Sequence, residues 1–245
     1  MIANEIVKIL IPATASFAVG IFCAPLLTHY LYTYKVWKKS AEKTALDGSA
    51  AVEFEKLRSS GETRAGTETR TPRMGGILIW ASVAVVTLGM WALARLFPMP
   101  FILKLDFLSR SQTWIPFVTL IAGGLIGFVN DLFDIQPSGE RGLRLRTRLL
   151  FVTFVSGLVG WWFYAKLGVT EVGIPGDGTL VLGSFIIPLF ILVSLGIYAS
   201  GVIDGIDGLS GGIFSSIFMA YAGIAFFQNQ FDLAAFSATL VGAIL

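Results

Sequence analysis

The sequence predicts an all-α fold: a polytopic transmembrane helical bundle of about six complete spans plus a truncated seventh. Three observations carry this. Of 245 residues, 55% are hydrophobic and only 14% are charged, whereas a soluble domain carries roughly 25% charged residues. Mean hydropathy is +0.76. The apolar residues also fall into runs long enough to cross ~30 Å of hydrocarbon, with the basic residues gathered between them. Residues 1–245 read as one integral-membrane domain. The net charge of +2 is too small to argue for a nucleic-acid partner. Cys23 and His29 are each the sole residue of their kind, so neither an intrachain disulfide nor a histidine-based metal site is on offer.

The spans follow in order. Ile6 to Tyr32 is the first apolar run, too long for a cleaved signal peptide and therefore an anchor. Tyr30, Tyr32, Tyr34 and Trp37 suit an interfacial aromatic belt. Lys35 to Arg73 is polar and ends in Thr69-Arg-Thr-Pro-Arg-Met-Gly-Gly76, where Pro72 can open a helix and Gly75 with Gly76 permits close packing. The second span runs from about Met74 to Leu96. Phe97 to Thr113, with Pro98 and Pro100, reads as a loop. The third span, about Trp114 to Phe133, delivers Asn130, Asp131 and Asp134 at its far end. A short basic stretch precedes the fourth span, Leu149 to about Leu167. Gly168 to Thr179 is a Gly/Pro loop, and the fifth span runs from Leu180 to Ala199. The sixth is Ile213 to Phe227, and a seventh begins near Phe231.

If the spans alternate, one side receives 13 of the 18 basic residues, among them Lys35, Arg70, Arg73, Arg141 and Arg144, and the other receives five. Basic loops stay in the cytoplasm. The loops 35–73, 134–148 and 200–212 are therefore expected to be cytoplasmic and the N-terminus outside. The same alternation brings the Pro-Arg-Met-Gly-Gly motif, Asn130-Asp131, and Asp204 with Asp207 to one membrane face.

The densest motif is Ser200 to Gly212, SGVIDGIDGLSGG. Asp204 and Asp207 lie three apart, on one face of a helical turn, among glycines that let the backbone turn sharply near a ligand. Carboxylates beside lipid are expensive and mark function more often than they decorate a loop. Asp131, Asp204 and Asp207 are hard oxygen donors of the kind that, with substrate phosphates, bind Mg²⁺. Arg70, Arg73, Arg141 and Arg144 could clamp phosphate oxygens, although retention of basic loops in the cytoplasm explains them as a group. Asp134 reads as a solvated loop acid.

TPRMGG, GFVNDLFDI and DGIDGLSGG, in this order and at these span ends, resemble the polyprenyl-phosphate N-acetylhexosamine-1-phosphate transferases. The resemblance implies ten spans, an outside N-terminus and a cytoplasmic active site in a bacterial plasma membrane. It also implies transfer of a sugar-1-phosphate from a UDP-sugar to polyprenyl (undecaprenyl) phosphate, with Mg²⁺ and release of UMP. Thr71-Pro72-x-Met74-Gly75-Gly76 is most similar to the branch that uses UDP-N-acetylmuramoyl-pentapeptide in peptidoglycan synthesis. The other branch uses UDP-N-acetylglucosamine. Carried over by position, Asp131 is the expected catalytic and metal-binding acid with Asn130 beside it. Asp204, Asp207, Thr71, Pro72, Gly75 and Gly76 are the expected substrate-binding residues. Asn130 stands where the resemblance implies a second aspartate. Tyr198 and Gly201 stand where the muramoyl branch implies asparagines. A homodimer is carried as a further partner expectation. A transporter and a non-catalytic lipid-phosphate binder are the readings of another class.

Phe231 to Leu245 is shorter than the ~20 residues of a spanning helix. The resemblance implies later loops bearing another aspartate of the metal site and several histidines. The chain is thus expected to be a fragment with an incomplete pocket.

Overall fold

The structure, a computed structural model, describes residues 2–36, 72, 74–108, 111–135, 145–174, 176, 178–200 and 208–245. Among them the chain forms eight α-helices, one 3-10 turn and one small hairpin: α1 Ile2–Thr33, α2 Ile77–Leu96, α3 Pro100–Leu105, α4 Ser111–Ile135, α5 Leu145–Ala165, β1 Glu171–Gly173, β2 Thr179–Val181, the 3-10 turn Gly183–Phe185, α6 Ile186–Ser200, α7 Leu209–Phe227 and α8 Phe231–Ile244. Among the described residues five stretches are long and apolar enough to cross a membrane: Glu5–Thr33, Ile77–Leu96, Thr113–Phe133, Leu145–Ala165 and Leu209–Phe227. The protein is an all-α polytopic membrane protein whose outer faces carry large apolar side chains such as Phe22, Leu150, Leu192 and Phe227.

Two elements differ from the expected spans. Phe97 to Thr113 is not a plain loop. Pro100, with its fixed φ and missing N–H, opens the short helix α3, and Thr113 Oγ1 donates to the Phe107 carbonyl at 2.6 Å, tying the turn after α3 to the start of α4. The expected fifth span is shorter than Leu180 to Ala199. Its first residues pair in the hairpin, Val172 opposite Leu180 and Glu171 opposite Val181, and α6 keeps 15 residues. Gly176 and Gly178 turn the hairpin with φ of 109° and 91°, a region open to glycine but strained for other residues.

The core gathers around α8. Val83 of α2, Phe107 and Leu108, Phe117 of α4, and Ala235, Phe236, Leu240 and Ala243 of α8 form one buried cluster. α8 is buried from Ala234 through Ala243, which fits a helix apolar all round. Small residues make this possible. Ala234, Ala238 and Gly242 recur every fourth position, the small-residue spacing that lets membrane helices approach closely. At Gly242 a Cβ would lie 2.1 Å from the Ala13 carbonyl oxygen of α1. α5 and α6 pair in the same manner: a Cβ on Gly160 would lie 3.1 Å from the Ile187 Cα, and the Phe163 and Phe190 rings sit 4.9 Å apart.

The helix ends sort into two groups. Lys8 of α1 donates to Asp232 at the start of α8, and Asp106 is close enough to interact electrostatically with both of them and with Arg95. This is the charged end. At the opposite end the start of α2 meets the end of α4, and Gly211 near the start of α7 lies against Ile244 at the end of α8, 3.7 Å from its Cγ2 to a Cβ built on the glycine.

Candidate active site

The site is assembled from two helix ends. Asp131 lies in the last two turns of α4, where the helix dipole disfavours an acid. Its carboxylate reaches across to the segment ahead of α2, and the Met74 backbone N–H donates to Asp131 Oδ2 at 3.2 Å. The Met74 amide dipole thereby offsets part of the unfavourable dipole of α4. Asn130 Nδ2 donates to Asp131 Oδ1 at 3.5 Å, a long contact. Both Asn130 and Asp131 are half-buried.

The segment ahead of α2 is built by its own turn. Met74 has φ of 72°, and its side chain is buried at 8% exposure. Its carbonyl accepts the Ile77 N–H at 3.1 Å, and the Gly75 and Gly76 carbonyls accept from Leu78 and Ile79. Gly75 and Gly76 have open space where a Cβ would stand. Both are exposed and Pro72 is half-buried. No contact inside the described chain demands glycine at either place.

The structure thus brings Asp131, Asn130 and the Met74–Gly76 segment together. Thr71 and Arg73 lie outside the described residues, as do Asp204, Asp207, Arg70, Arg141 and Arg144 and the side chain of Asp134. The flanks of the Asp204–Asp207 stretch are described. α6 ends at Ser200, and α7 starts after Gly208, left-handed at φ 80°. The start of α7 therefore belongs to the same end of the bundle as Met74 and Asp131. Among the described residues no group of three or more His, Cys, Asp or Glu could hold a metal ion.

Residues 113–245 match glycosyl transferase family 4. The chain belongs to that family. The match takes in Asn130-Asp131 and the Asp204–Asp207 stretch, so both acidic motifs fall inside the family region, while Met74 lies ahead of it. Curated relatives are named phospho-N-acetylmuramoyl-pentapeptide-transferase. The one from Geobacillus sp. strain WCH70 is 34% identical over 77% of this chain and 55% of its own length. The one from Anoxybacillus flavithermus is 29% identical over the same shares. The Geobacillus thermodenitrificans relative is 29% identical over 97% of this chain and 65% of its own. The chain thus spans between half and two thirds of the length of these relatives.

Sequence reasoning missed two features. One is Met74, read only as part of a motif; its positive φ is not visible in a side-chain pattern. The other is the charged end. Asp106 has its pKa raised above the usual carboxylate value, first by desolvation and also by Asp232, against the lowering effects of the Leu108 N–H, Arg95 and Lys8. A lysine within the first span and an aspartate opening the last were the available signal, since charges at such positions need partners.

Proposed function

We propose that this chain carries the acid centre of a sugar-1-phosphate transferase. The donor is UDP-N-acetylmuramoyl-pentapeptide, the acceptor is polyprenyl phosphate, and UMP is released. The observation that carries the reading is the bond between Asp131 and the Met74 amide, which joins two of the three motifs at one end of the bundle. The family match and the names of the relatives support it.

An oxygen of the lipid phosphate attacks the β-phosphorus of the UDP-sugar. A new P–O bond forms there, the bond from that phosphorus to the bridging oxygen breaks, and UMP leaves with the electron pair. A phosphate with a second pKa near 6 is mostly ionised at pH 7, so Asp131 is needed less as a base than to organise charge. Catalysis of this kind rests on positioning and electrostatic stabilisation. Asp131 suits Mg²⁺, which takes one or two carboxylates plus substrate phosphate oxygens. Asp204 and Asp207 are the proposed companions in the substrate pocket, with Thr71, Pro72, Gly75 and Gly76. When bound, Mg²⁺ would neutralise charge on the diphosphate. The open face of Gly75 and Gly76 leaves room for a ligand to approach the backbone. The site is proposed to face the cytoplasm of a bacterial cell, where a soluble nucleotide sugar and a membrane lipid can meet.

The test is a donor panel. Membranes carrying the full-length protein are given polyprenyl phosphate, Mg²⁺ and single UDP-sugars, and UMP is measured. UMP from UDP-N-acetylmuramoyl-pentapeptide is the expected result. UMP from UDP-N-acetylglucosamine alone moves the protein to the other branch, which the changes at Tyr198 and Gly201 would suit. No UMP from any donor refutes the reading and favours a lipid-phosphate binder or a transporter.

A further inference from the structure

Building on the transferase reading, on which this rests, we infer that Met74 is a positioning residue whose left-handed backbone aims its N–H at Asp131 and so fixes the carboxylate in the site. Among the described residues three non-glycine residues have positive φ: Lys35, Met74 and Asn229. Two of them are explained by the helices they follow. Lys35 comes just after α1, where Lys35 N–H donates to the Tyr32 carbonyl and Val36 N–H to that of Leu31. Asn229 comes just after α7, where Asn229 N–H donates to Phe226 and Gln230 N–H to Ala225. Such left-handed residues close helix C-termini. Met74 instead precedes a helix, and no described helix ends in the residues before it.

A residue with a Cβ is disfavoured in this region, and it persists there only where its surroundings hold it. Gly75, the next residue, would take the conformation without strain, yet the strained position is Met74. Three contacts hold it. The side chain is buried, the carbonyl accepts the Ile77 N–H at 3.1 Å, and the N–H donates to Asp131 Oδ2 at 3.2 Å, 57 residues away in sequence. The two backbone polar groups of Met74 are therefore tied in opposite directions, its C=O to α2 and its N–H to α4. A carboxylate that accepts a fixed backbone N–H loses rotational freedom and turns its charge in one direction. That role falls to the backbone of Met74, whichever ligand the glycines beside it admit.

The first test removes the N–H donor. In the full-length protein, Met74 is replaced by its α-hydroxy analogue through nonsense suppression, which turns the N–H into an ester oxygen and leaves the side chain intact. A hydrogen bond to a charged group of ordinary strength corresponds to about a tenfold effect or more. The expected result is a kcat lower by about tenfold with KM for the UDP-sugar within about twofold, the signature of an interaction used in the transition state rather than in binding. Met74→Gly, which accepts positive φ, should retain about tenfold more kcat than Met74→Val, whose branched Cβ does not. A second readout needs no activity. With ¹⁵N-methionine, the Met74 amide proton should shift upfield in Asp131→Ala while the other methionine amides hold still. Wild-type kcat in the ester variant overturns the inference, and so does a Met74 amide unmoved by Asp131→Ala. If the wild-type protein releases no UMP, the transferase reading falls and the amide shift alone decides the positioning claim.

Discussion

Gly242→Ala tests how the bundle is held together. A Cβ at this position would stand 2.1 Å from the Ala13 carbonyl oxygen, 2.9 Å from its carbonyl carbon and 3.3 Å from its Cα. All three are backbone atoms, so no rotamer change relieves the clash. To reach the 3.4 Å at which ordinary contact begins, α1 and α8 must part by more than 1 Å. A gap of ~0.5–1 Å already forfeits a quarter to a half of the dispersion well. Overpacking of this kind costs about 1–3 kcal/mol, offset by the ~0.5–1 kcal/mol that alanine gains over glycine inside a helix. Taken at mid-range the net loss is about 1 kcal/mol, and at most about 2.5 kcal/mol, which at ~2–4 °C per kcal/mol lowers Tm by about 2–4 °C and at most by about 10 °C. Gly89→Ala on α2 is the control, because a Cβ there meets nothing within 4 Å and only the helix-propensity gain remains. Thermal unfolding in detergent, followed by tryptophan fluorescence, reads both variants. A Gly242→Ala protein melting at or above wild type would refute the close α1–α8 crossing.

Three further outcomes follow from the charged end and the span order. Asp232→Ala takes from the largely buried Lys8 the acid it donates to, leaving Asp106 as the acid that still acts on it, and should cost up to about 3–5 kcal/mol, as when one partner of a buried pair is removed. Lys8→Met with Asp232→Leu should recover most of it, and strictly additive single and double variants would remove the pair from the fold's support. Asp106 binds its proton more tightly in the folded than in the unfolded state, because desolvation raises its pKa from 3.8. Its contribution is therefore fully present below that value and is lost as pH rises through the folded pKa. Wild type should lose stability relative to Asp106→Asn over that rise, measured by denaturant unfolding at stepped pH; parallel curves would contradict it. In a Cys23→Ser background, Gly173→Cys should label from outside the cell and Glu55→Cys should not, and the reverse pattern would overturn the proposed sidedness.

Much of the fold was legible because lipid imposes a coarse rule: a run of about 20 apolar residues must be a helix. α2 ends at Leu96 and α7 ends at Phe227, where the apolar runs stop. The rule failed where apolar residues were not in a spanning helix. Leu180 and Val181 are as apolar as any helix residue, but the chain turns at Gly176 and Gly178 and pairs them back onto β1. Pro100, read as part of a loop, starts α3. The central place of α8 was hidden, since hydropathy measures how apolar a helix is and not which neighbours surround it. The site was partly legible. Spacing and alternation bring Asp131 and the Met74–Gly76 segment to one end, and the structure joins them. The left-handed turn at Met74 depends on tertiary contacts, and no residue-level pattern announces it.

The most direct measurement is UMP release by Asp131→Ala beside wild type, in membranes carrying the full-length protein with UDP-N-acetylmuramoyl-pentapeptide, polyprenyl phosphate and Mg²⁺. Asp131 is proposed to organise charge around the transferring phosphoryl group, and removal of such an electrostatic group costs on the order of 10²–10³ in kcat. The prediction is a drop of that size in a protein whose Tm stays within about 2 °C of wild type. Wild-type UMP release by a stably folded Asp131→Ala protein would take Asp131 out of the chemistry and contradict the proposed acid centre.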